Sequence, residues 1–87
     1  MLYRKKPIIV EAVQWNGTQE SFLEILEELG DKGIGMSHDL KSFNVSFHVN
    51  TLEGTMNARK GDWIVKGIAG EIYPVQNDIF LATYEAV

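Results

Sequence analysis

The sequence contains no cysteine, only two prolines and no long hydrophobic run. The lack of cysteine excludes disulfide bonds and thiolate chemistry. No uninterrupted apolar run is longer than that of residues 7–10, which is far shorter than the roughly 20 residues that cross a bilayer. We therefore expect neither a cleavable signal nor a membrane span, and we predict a soluble cytoplasmic protein.

Basic residues are also scarce, with 8 Lys and Arg against 12 Asp and Glu and a formal net charge of −4. Phosphate backbones attract positive surfaces, so this balance disfavours nucleic acid as a partner. The local exception is Arg4-Lys5-Lys6. We interpret that run as a solvated entry to the first strand.

What the chain does have is apolar side chains: 45% of its 87 residues are hydrophobic and 10% are aromatic. The length predicts a single domain over residues 1–87 with a modest core. Apolar side chains in excess of what a small core can hold leave exposed patches, which often mark a partner or subunit interface.

The first half of the chain predicts one strand and one helix. Residues 7–15 (PIIVEAVQW) are rich in β-branched side chains and apolar on both faces, which suits a strand covered on both sides. Residues 18–29 carry an apolar stripe at helical spacing and predict an amphipathic helix that starts after Asn16-Gly17-Thr18 or at Ser21. Residues 31–42 predict a loose loop or a ragged edge hairpin. The stripe consists of Phe22, Ile25, Leu26 and Leu29.

The second half predicts strands and a short terminal helix. Residues 43–50 alternate between apolar and polar side chains, as a half-buried strand does. Residues 55–58, 63–66 and 71–75 are separated by turn signals and predict an antiparallel meander. A helix is expected from Asn77 or Asp78 through Tyr84, with Ile79, Phe80 and Tyr84 directed inward. The predicted fold class is α+β, with a single curled antiparallel sheet of about five strands, one packed amphipathic helix and a short C-terminal helix.

Candidate catalytic and metal-binding residues do not assemble into a known pattern. His38, Asp39 and His48 lack the spacing of metal ligands. Ser46 and His48 share a strand face without the strained turn of a nucleophile, and the glycine-rich residues 30–35 follow a helix, whereas phosphate loops precede one. We predict no catalytic residue, no cofactor and no metal.

Six residues are candidates for a ligand or interface site. Glu11 is either an exposed edge residue or a paired acid that faces a ligand, with Lys66 or Arg59 as its partner. Arg59, Lys60 and Trp63 crowd one turn, and a cation beside an aromatic ring is one way to hold a planar anion. The alternative, which we favour, is that Trp63 is a core residue. The six candidates are Glu11, Trp15, Arg59, Lys60, Trp63 and Tyr73.

Several segments together resemble a small, uncharacterised family of proteins encoded in bacteriophages and prophages. Lys60 stands where a proline is common in that pattern, and residues 75–77 replace a segment that often carries cysteine and proline. The resemblance implies phage or prophage origin, and with it the cytoplasm of a bacterial host, and it supplies no catalytic residues. The matching segments are YRKKP (3–7), EA (11–12), QW (14–15), TLEGTM (51–56), GDWI (61–64), GEIYP (70–74), DIF (78–80) and TYE (83–85).

Three classes of function follow as expectations. The first is a non-enzymatic binding protein that acts through protein contacts, as a homo-oligomer or with a host or phage protein. The second is a protein that binds or sequesters a small nucleotide-like ligand. The third, a small hydrolase or transferase, ranks last because no catalytic set is assembled.

Overall fold

The computed structural model describes the backbone of residues 1–31, 33–39 and 44–87. Within these residues the α+β class is confirmed, with six strands and two helices. In chain order they are β1 (Glu11–Gln14), α1 (Gln19–Leu29), β2 (Ile34–Asp39), β3 (Asn44–Thr51), β4 (Gly54–Ala58), β5 (Trp63–Lys66), β6 (Ile72–Val75) and α2 (Asn77–Thr83).

The described strands form two antiparallel sheets of three strands, where the sequence predicts one sheet of about five. Sheet A has the order β1-β5-β6 and sheet B has the order β2-β3-β4. The predicted meander divides at the turn that follows β4. There the Gly61 N–H donates to the Trp15 carbonyl (2.8 Å), and the Trp15 N–H donates to the Asp62 carbonyl (2.9 Å). These bonds start β5 beside β1, so β4 and β5 belong to different sheets.

The core lies between the inward faces of the two sheets and α1. At its centre Phe47 of β3 meets the edges of Trp15 and Phe22, with ring centroids 5.2 Å and 4.9 Å apart. Offset and edge-to-face pairs of this kind add to the stabilisation that burial alone gives. The buried cluster consists of Trp15, Phe22, Ile25, Leu29, Phe47, Val49, Ala58, Ile64 and Ile72.

Helix α1 forms as predicted, and its first turn decides between the two expected starts. The Thr18 side chain accepts a hydrogen bond from the Ser21 N–H (3.1 Å), so Thr18 is the N-cap. Gly30 ends the helix at a φ of +90° and donates its N–H to the Leu26 carbonyl. The predicted stripe faces the core, since Phe22, Ile25 and Leu29 are buried and Leu26 is half-buried.

The first strand is shorter than the predicted residues 7–15. Pairing between β1 and β5 stops at Glu11 opposite Lys66, because β5 ends there and the chain turns away at Gly67. Ile8 and Ile9 are 45% and 78% exposed, so this segment is not covered on both faces within its own chain, and cover by another subunit stays a prediction. Residues 1–10, which we call the N-terminal arm, form neither strand nor helix.

The region predicted as a loose loop or ragged hairpin contains β2, an edge strand of sheet B. It pairs with β3 from Ile34 opposite Val49 to Asp39 opposite Asn44. Residues 32 and 40–43 lie outside the described part, and so does the predicted strand residue Phe43. In β3 the predicted alternation is confirmed from Val45 onward.

Helix α2 closes the described fold close to its predicted position. Phe80 and Tyr84 are half-buried, whereas Ile79 is 52% exposed, so its expected inward direction is wrong. Neither helix of the described residues has the length and apolar character needed to cross a bilayer.

Candidate functional site

The structure separates the six candidate residues into distinct places. Trp15 is in the core, 2% exposed, with its indole N–H donating to the Thr18 carbonyl (3.0 Å). Glu11 is exposed at the end of β1, opposite Lys66 in the strand register. In that register Glu11 and Lys66, one of the two basic partners that the sequence suggests, occupy opposite positions on neighbouring strands.

Arg59 and Lys60 line a polar pocket of about 320 Å³, which we call the cationic pocket. Both side chains are exposed, and the Lys60 stem packs against the backbone of Gly17. A Cβ at Gly17 would lie 3.1 to 3.2 Å from that stem, and the residue has a φ of +87°. The turn before α1 therefore positions Lys60. The pocket wall also includes Trp15, Ser46, Asn57 and Ala58.

Trp63 and Tyr73 lie elsewhere, on the outward face of sheet A under α2. The Trp63 ring stacks on Phe80 with centroids 4.2 Å apart and planes 9° apart, and its N–H donates to Asn77 Oδ1 (2.8 Å). Phe80 in turn stacks on Tyr84 at 4.9 Å. Because its ring is occupied by α2, Trp63 serves in this structure as the docking platform of that helix.

Tyr73 completes this aromatic cluster. Its hydroxyl lies 3.5 Å from the hydroxyl of Tyr84. Burial, and secondarily the Tyr84 hydroxyl, raises the pKa of Tyr73 from 10.0 to about 12. Lys5 of the N-terminal arm lies over the Tyr84 ring, 5.6 Å from its centroid. The cluster is thus neutral and closed on the side where α2 packs.

A hydrogen-bonded row crosses all three strands on the outward face of sheet B. The Ser37 hydroxyl lies 3.0 Å from His48 Nε2, and His48 Nδ1 lies 2.8 Å from Asn57 Oδ1. Since an amide oxygen only accepts, Nδ1 carries the proton and Nε2 accepts from Ser37. The sequence paired His48 with Ser46, whereas Ser37 is its partner. The pairing requires β2, which the sequence did not resolve.

A third surface, which was not among the predicted sites, is an apolar groove of about 940 Å³ between β6 and the β3–β4 hairpin. We call it the open groove. One wall is the β3–β4 hairpin with Leu52 and Met56, and the other is β6 with Ile72 and Pro74. Leu52 is 107% exposed and Met56 is 42% exposed. Glu53 and Glu71 also line the groove, and none of its described lining residues is basic.

The open groove is the uncovered end of the core. Met56 lies opposite Val49, and Ile72 lies opposite Lys66, so both belong to the inward faces of their sheets. Helix α1 packs over the other end of the same core, where Trp15, Phe22 and Phe47 meet. The sequence contained a signal for this site in Leu52 and Met56, which flank a predicted turn and are apolar. Only the packing of β6 beside the β3–β4 hairpin turns that signal into a cavity.

Comparison of the chain with protein-family models, with curated proteins and with solved structures found no match. The described residues form three surfaces that bear on function: the open groove, the cationic pocket and the polar row of sheet B.

Proposed function

We propose that this chain is a phage- or prophage-type binding protein that acts without catalysis, through protein contacts, as a homo-oligomer. The observation that carries the proposal is the open groove. It is apolar and continuous with the core, and it exposes Leu52 and Met56 to solvent. Exposed apolar patches of this kind are typical of interaction surfaces.

A partner that covers the groove extends the core and buries more apolar surface. Fully burying a Leu or Met side chain contributes about 1.5–3 kcal/mol. A partner that covers Leu52 and Met56 therefore gains several kcal/mol from two side chains, before any contact at the rim. In a domain of this size, that gain is comparable with a large part of the stability of the fold.

The test is sedimentation of the full chain across a concentration series, together with Leu52→Lys. Leu52 is wholly exposed at a hairpin turn, so this substitution should leave the fold intact and place a charge on the interface. The matched control is Leu23→Lys, on the exposed side of α1 at 52% exposure. We expect an oligomer for the wild type and the control, and at least tenfold weaker association for Leu52→Lys. A wild-type chain that stays monomeric at about 100 µM contradicts self-association, and a host or phage protein then becomes the partner to seek.

A second candidate function, binding of a small nucleotide-like ligand, is favoured by the cationic pocket. Arg59 and Lys60 offer two cations, and Ser46 and Asn57 offer polar groups, around a cavity of about 320 Å³. Paired cations and polar groups of this kind suit a phosphate. The predicted aromatic partners Trp63 and Tyr73 lie in the cluster under α2, so the pocket supplies charge without the planar platform that the sequence suggested.

Thermal-shift measurements against a panel of nucleotides test this second candidate. A ligand at a hundredfold excess over its dissociation constant should stabilise the fold by about 2.7 kcal/mol. Arg59→Gln should remove the shift, and Lys66→Gln, a change outside the pocket, should keep it. A panel without any shift sets this function aside.

The third class, a small hydrolase or transferase, rests on the Ser37–His48–Asn57 row, whose order of hydrogen bonds is that of a nucleophile, a base and an orienting group. It ranks last because the Ser37 hydroxyl is exposed and neither cavity described above is lined by Ser37 or His48. A serine-directed fluorophosphonate that labels Ser37 would reverse this ranking.

A further inference from the structure

The N-terminal arm carries large apolar side chains that its own chain leaves in water. Met1, Leu2 and Tyr3 are 106%, 101% and 86% exposed, and Ile9 is 78% exposed. Of residues 1–10, only Val10 is even half-buried. A segment with this composition gains free energy wherever it can cover apolar surface.

The charge of the arm is opposite to that of the rest of the molecule. The arm contains Arg4, Lys5 and Lys6 and no acid. Removing these three cations from the formal net charge of −4 leaves −7 on residues 11–87. The chain therefore consists of a basic, apolar arm and an acidic body.

The open groove has the complementary properties. Its walls are apolar, and its charged lining residues are Glu53 and Glu71. Lys66 lies next to the groove floor, opposite Ile72 on one side and opposite Glu11 on the other side in the strand register. Basic and apolar side chains of the arm thus meet acidic and apolar side chains of the groove.

The groove also offers backbone partners to an extended segment. Met56 of β4 and residues 72–74 of β6 line it, and these two strands are edge strands of sheets B and A. Edge strands present unpaired N–H and C=O groups to any extended chain that lies beside them. Pro74 removes one donor from β6, so β4 provides the longer edge for pairing.

We infer that the open groove is occupied by the N-terminal arm of a second copy of this chain. The inference rests on the proposed self-association and names the segment that carries it. The arm leaves the body at Glu11, which lies one strand from Ile72 at the groove floor, because Glu11 faces Lys66 and Lys66 faces Ile72. The arm therefore begins at the end of the fold where the groove opens. Two copies that meet at this end can each place their arm in the groove of the other, as a two-fold dimer requires.

The arm also has the reach for such an exchange. Ten extended residues span at most about 33–36 Å. In the single chain the arm instead lies beside Tyr84, where Lys5 stands over the ring. That contact is a single exposed cation–π interaction, which burial of the apolar side chains of the arm outweighs.

The absence of cysteine makes a clean crosslinking experiment available. One copy carries Ile9→Cys and another carries Met56→Cys, with Leu52→Cys as a second groove variant if Met56→Cys fails to fold. The two are mixed and oxidised gently with oxidised glutathione. We expect a disulfide-linked heterodimer, identified by its mass. The control replaces the groove variant by Leu23→Cys, at comparable exposure on α1, and should give at least tenfold less heterodimer.

The charges provide an independent arm of the test. Reversing Arg4, Lys5 and Lys6 to Glu should raise the dimer dissociation constant at least tenfold at low salt. Adding Glu53→Lys to the same chain should restore part of the affinity. Glu53 is the better reversal site, because Glu71 accepts a hydrogen bond from the Ala69 N–H and so supports the β5–β6 turn.

The outcomes separate this inference from the function on which it rests. A further variant carries Ile9→Cys and Met56→Cys in the same chain. If the disulfide forms only within this double variant and not between the single variants, the arm occupies the groove of its own chain, which overturns the exchange. A dimer that Leu52→Lys breaks but that gives no arm-to-groove crosslink and ignores the charge reversal overturns the exchange and leaves self-association standing. A wild-type monomer overturns both.

Discussion

The two sheets have the same number of strands and the same antiparallel pairing, but their outward faces differ. On sheet A the outward face is covered: Val65 is fully buried and its neighbour Trp63 stacks on Phe80 of α2. On sheet B the outward face is wet, and the row of Ser37, His48 and Asn57 crosses its three strands.

This difference shows what determines whether the outward face of a sheet needs a second layer in so small a protein. Sheet A places apolar side chains on both faces, so it needs a second layer, and the seven residues of α2 provide it. In sheet B the central strand β3 alternates between apolar inward and polar outward side chains over residues 45–50, and the polar row satisfies its own hydrogen bonds without a covering layer. The open groove is apolar like the outward face of sheet A, but no helix covers it within the described residues. We therefore treat it as an interface.

The largest loss of stability is expected in the core, where the inward faces of the two sheets meet. Phe47 is fully buried between Trp15 and Phe22, so Phe47→Ala should cost about 3–5 kcal/mol and unfold much of the protein. Urea denaturation followed by tryptophan fluorescence measures the loss. A cost below 1 kcal/mol would mean that the two sheets do not share this core.

The covered face of sheet A should give an intermediate effect. Trp63 is half-buried, so Trp63→Ala should destabilise by about 2–3 kcal/mol, less than a fully buried tryptophan, and should release α2. Trp63→Phe keeps a ring for Phe80 and should recover more than half of the loss. Hydrogen exchange of the α2 amides separates release of this helix from global unfolding.

The result for Trp63→Ala also decides the question that the sequence left open. If the melting temperature is unchanged and a nucleotide-induced shift disappears, Trp63 is a ligand platform and α2 is displaced by the ligand. We expect the opposite, because the stack on Phe80 and the bond to Asn77 already occupy the ring.

The wet face of sheet B should give a small effect. His48→Ala removes two hydrogen bonds that are open to water, so we expect a loss of only about 0.5 kcal/mol. Asn57→Ala should behave alike, and the double variant should cost little more than either change, because both remove the same bond. A loss above 2 kcal/mol for His48→Ala would show that the row stabilises the sheet and would remove the contrast between the two outward faces.

Local patterns in the sequence predicted the elements well. Helix α1, the alternation of β3, strand β5 and the position of α2 all follow from spacing, capping and turn residues. Gly70 has a positive φ of +83° in the turn from Gly67 to Glu71, one of the turns that the sequence places between strands. These features depend only on neighbours in the chain.

The assembly of those elements could not be predicted in the same way. Whether β5 pairs with β4 or with β1 depends on Trp15 reaching Gly61 and Asp62, a contact between residues far apart in sequence. The same long-range pairing separates Arg59 and Lys60 from Trp63 and Tyr73, and it creates the open groove. A single sequence gives periodicity, and periodicity does not contain these pairings.

The smallest effect at neutral pH is expected for Tyr73→Phe, and it becomes visible only in alkali. Burial, and then Tyr84, raise the pKa of Tyr73 to about 12 in the fold, against 10.0 for a free phenol. The fold therefore favours the neutral phenol, so this contribution to stability is complete below pH 10 and is lost as the pH rises towards 12. Wild-type melting temperatures should fall steeply over that window, and the melting temperature of Tyr73→Phe, which cannot ionise at this position, should fall less.

Tyr3→Phe is the matched control because Tyr3 is 86% exposed, and its melting temperatures should follow those of the wild type. If Tyr73→Phe loses stability as steeply as the wild type, the outward face of sheet A is more open to water than the aromatic cluster implies, and the contrast with sheet B narrows.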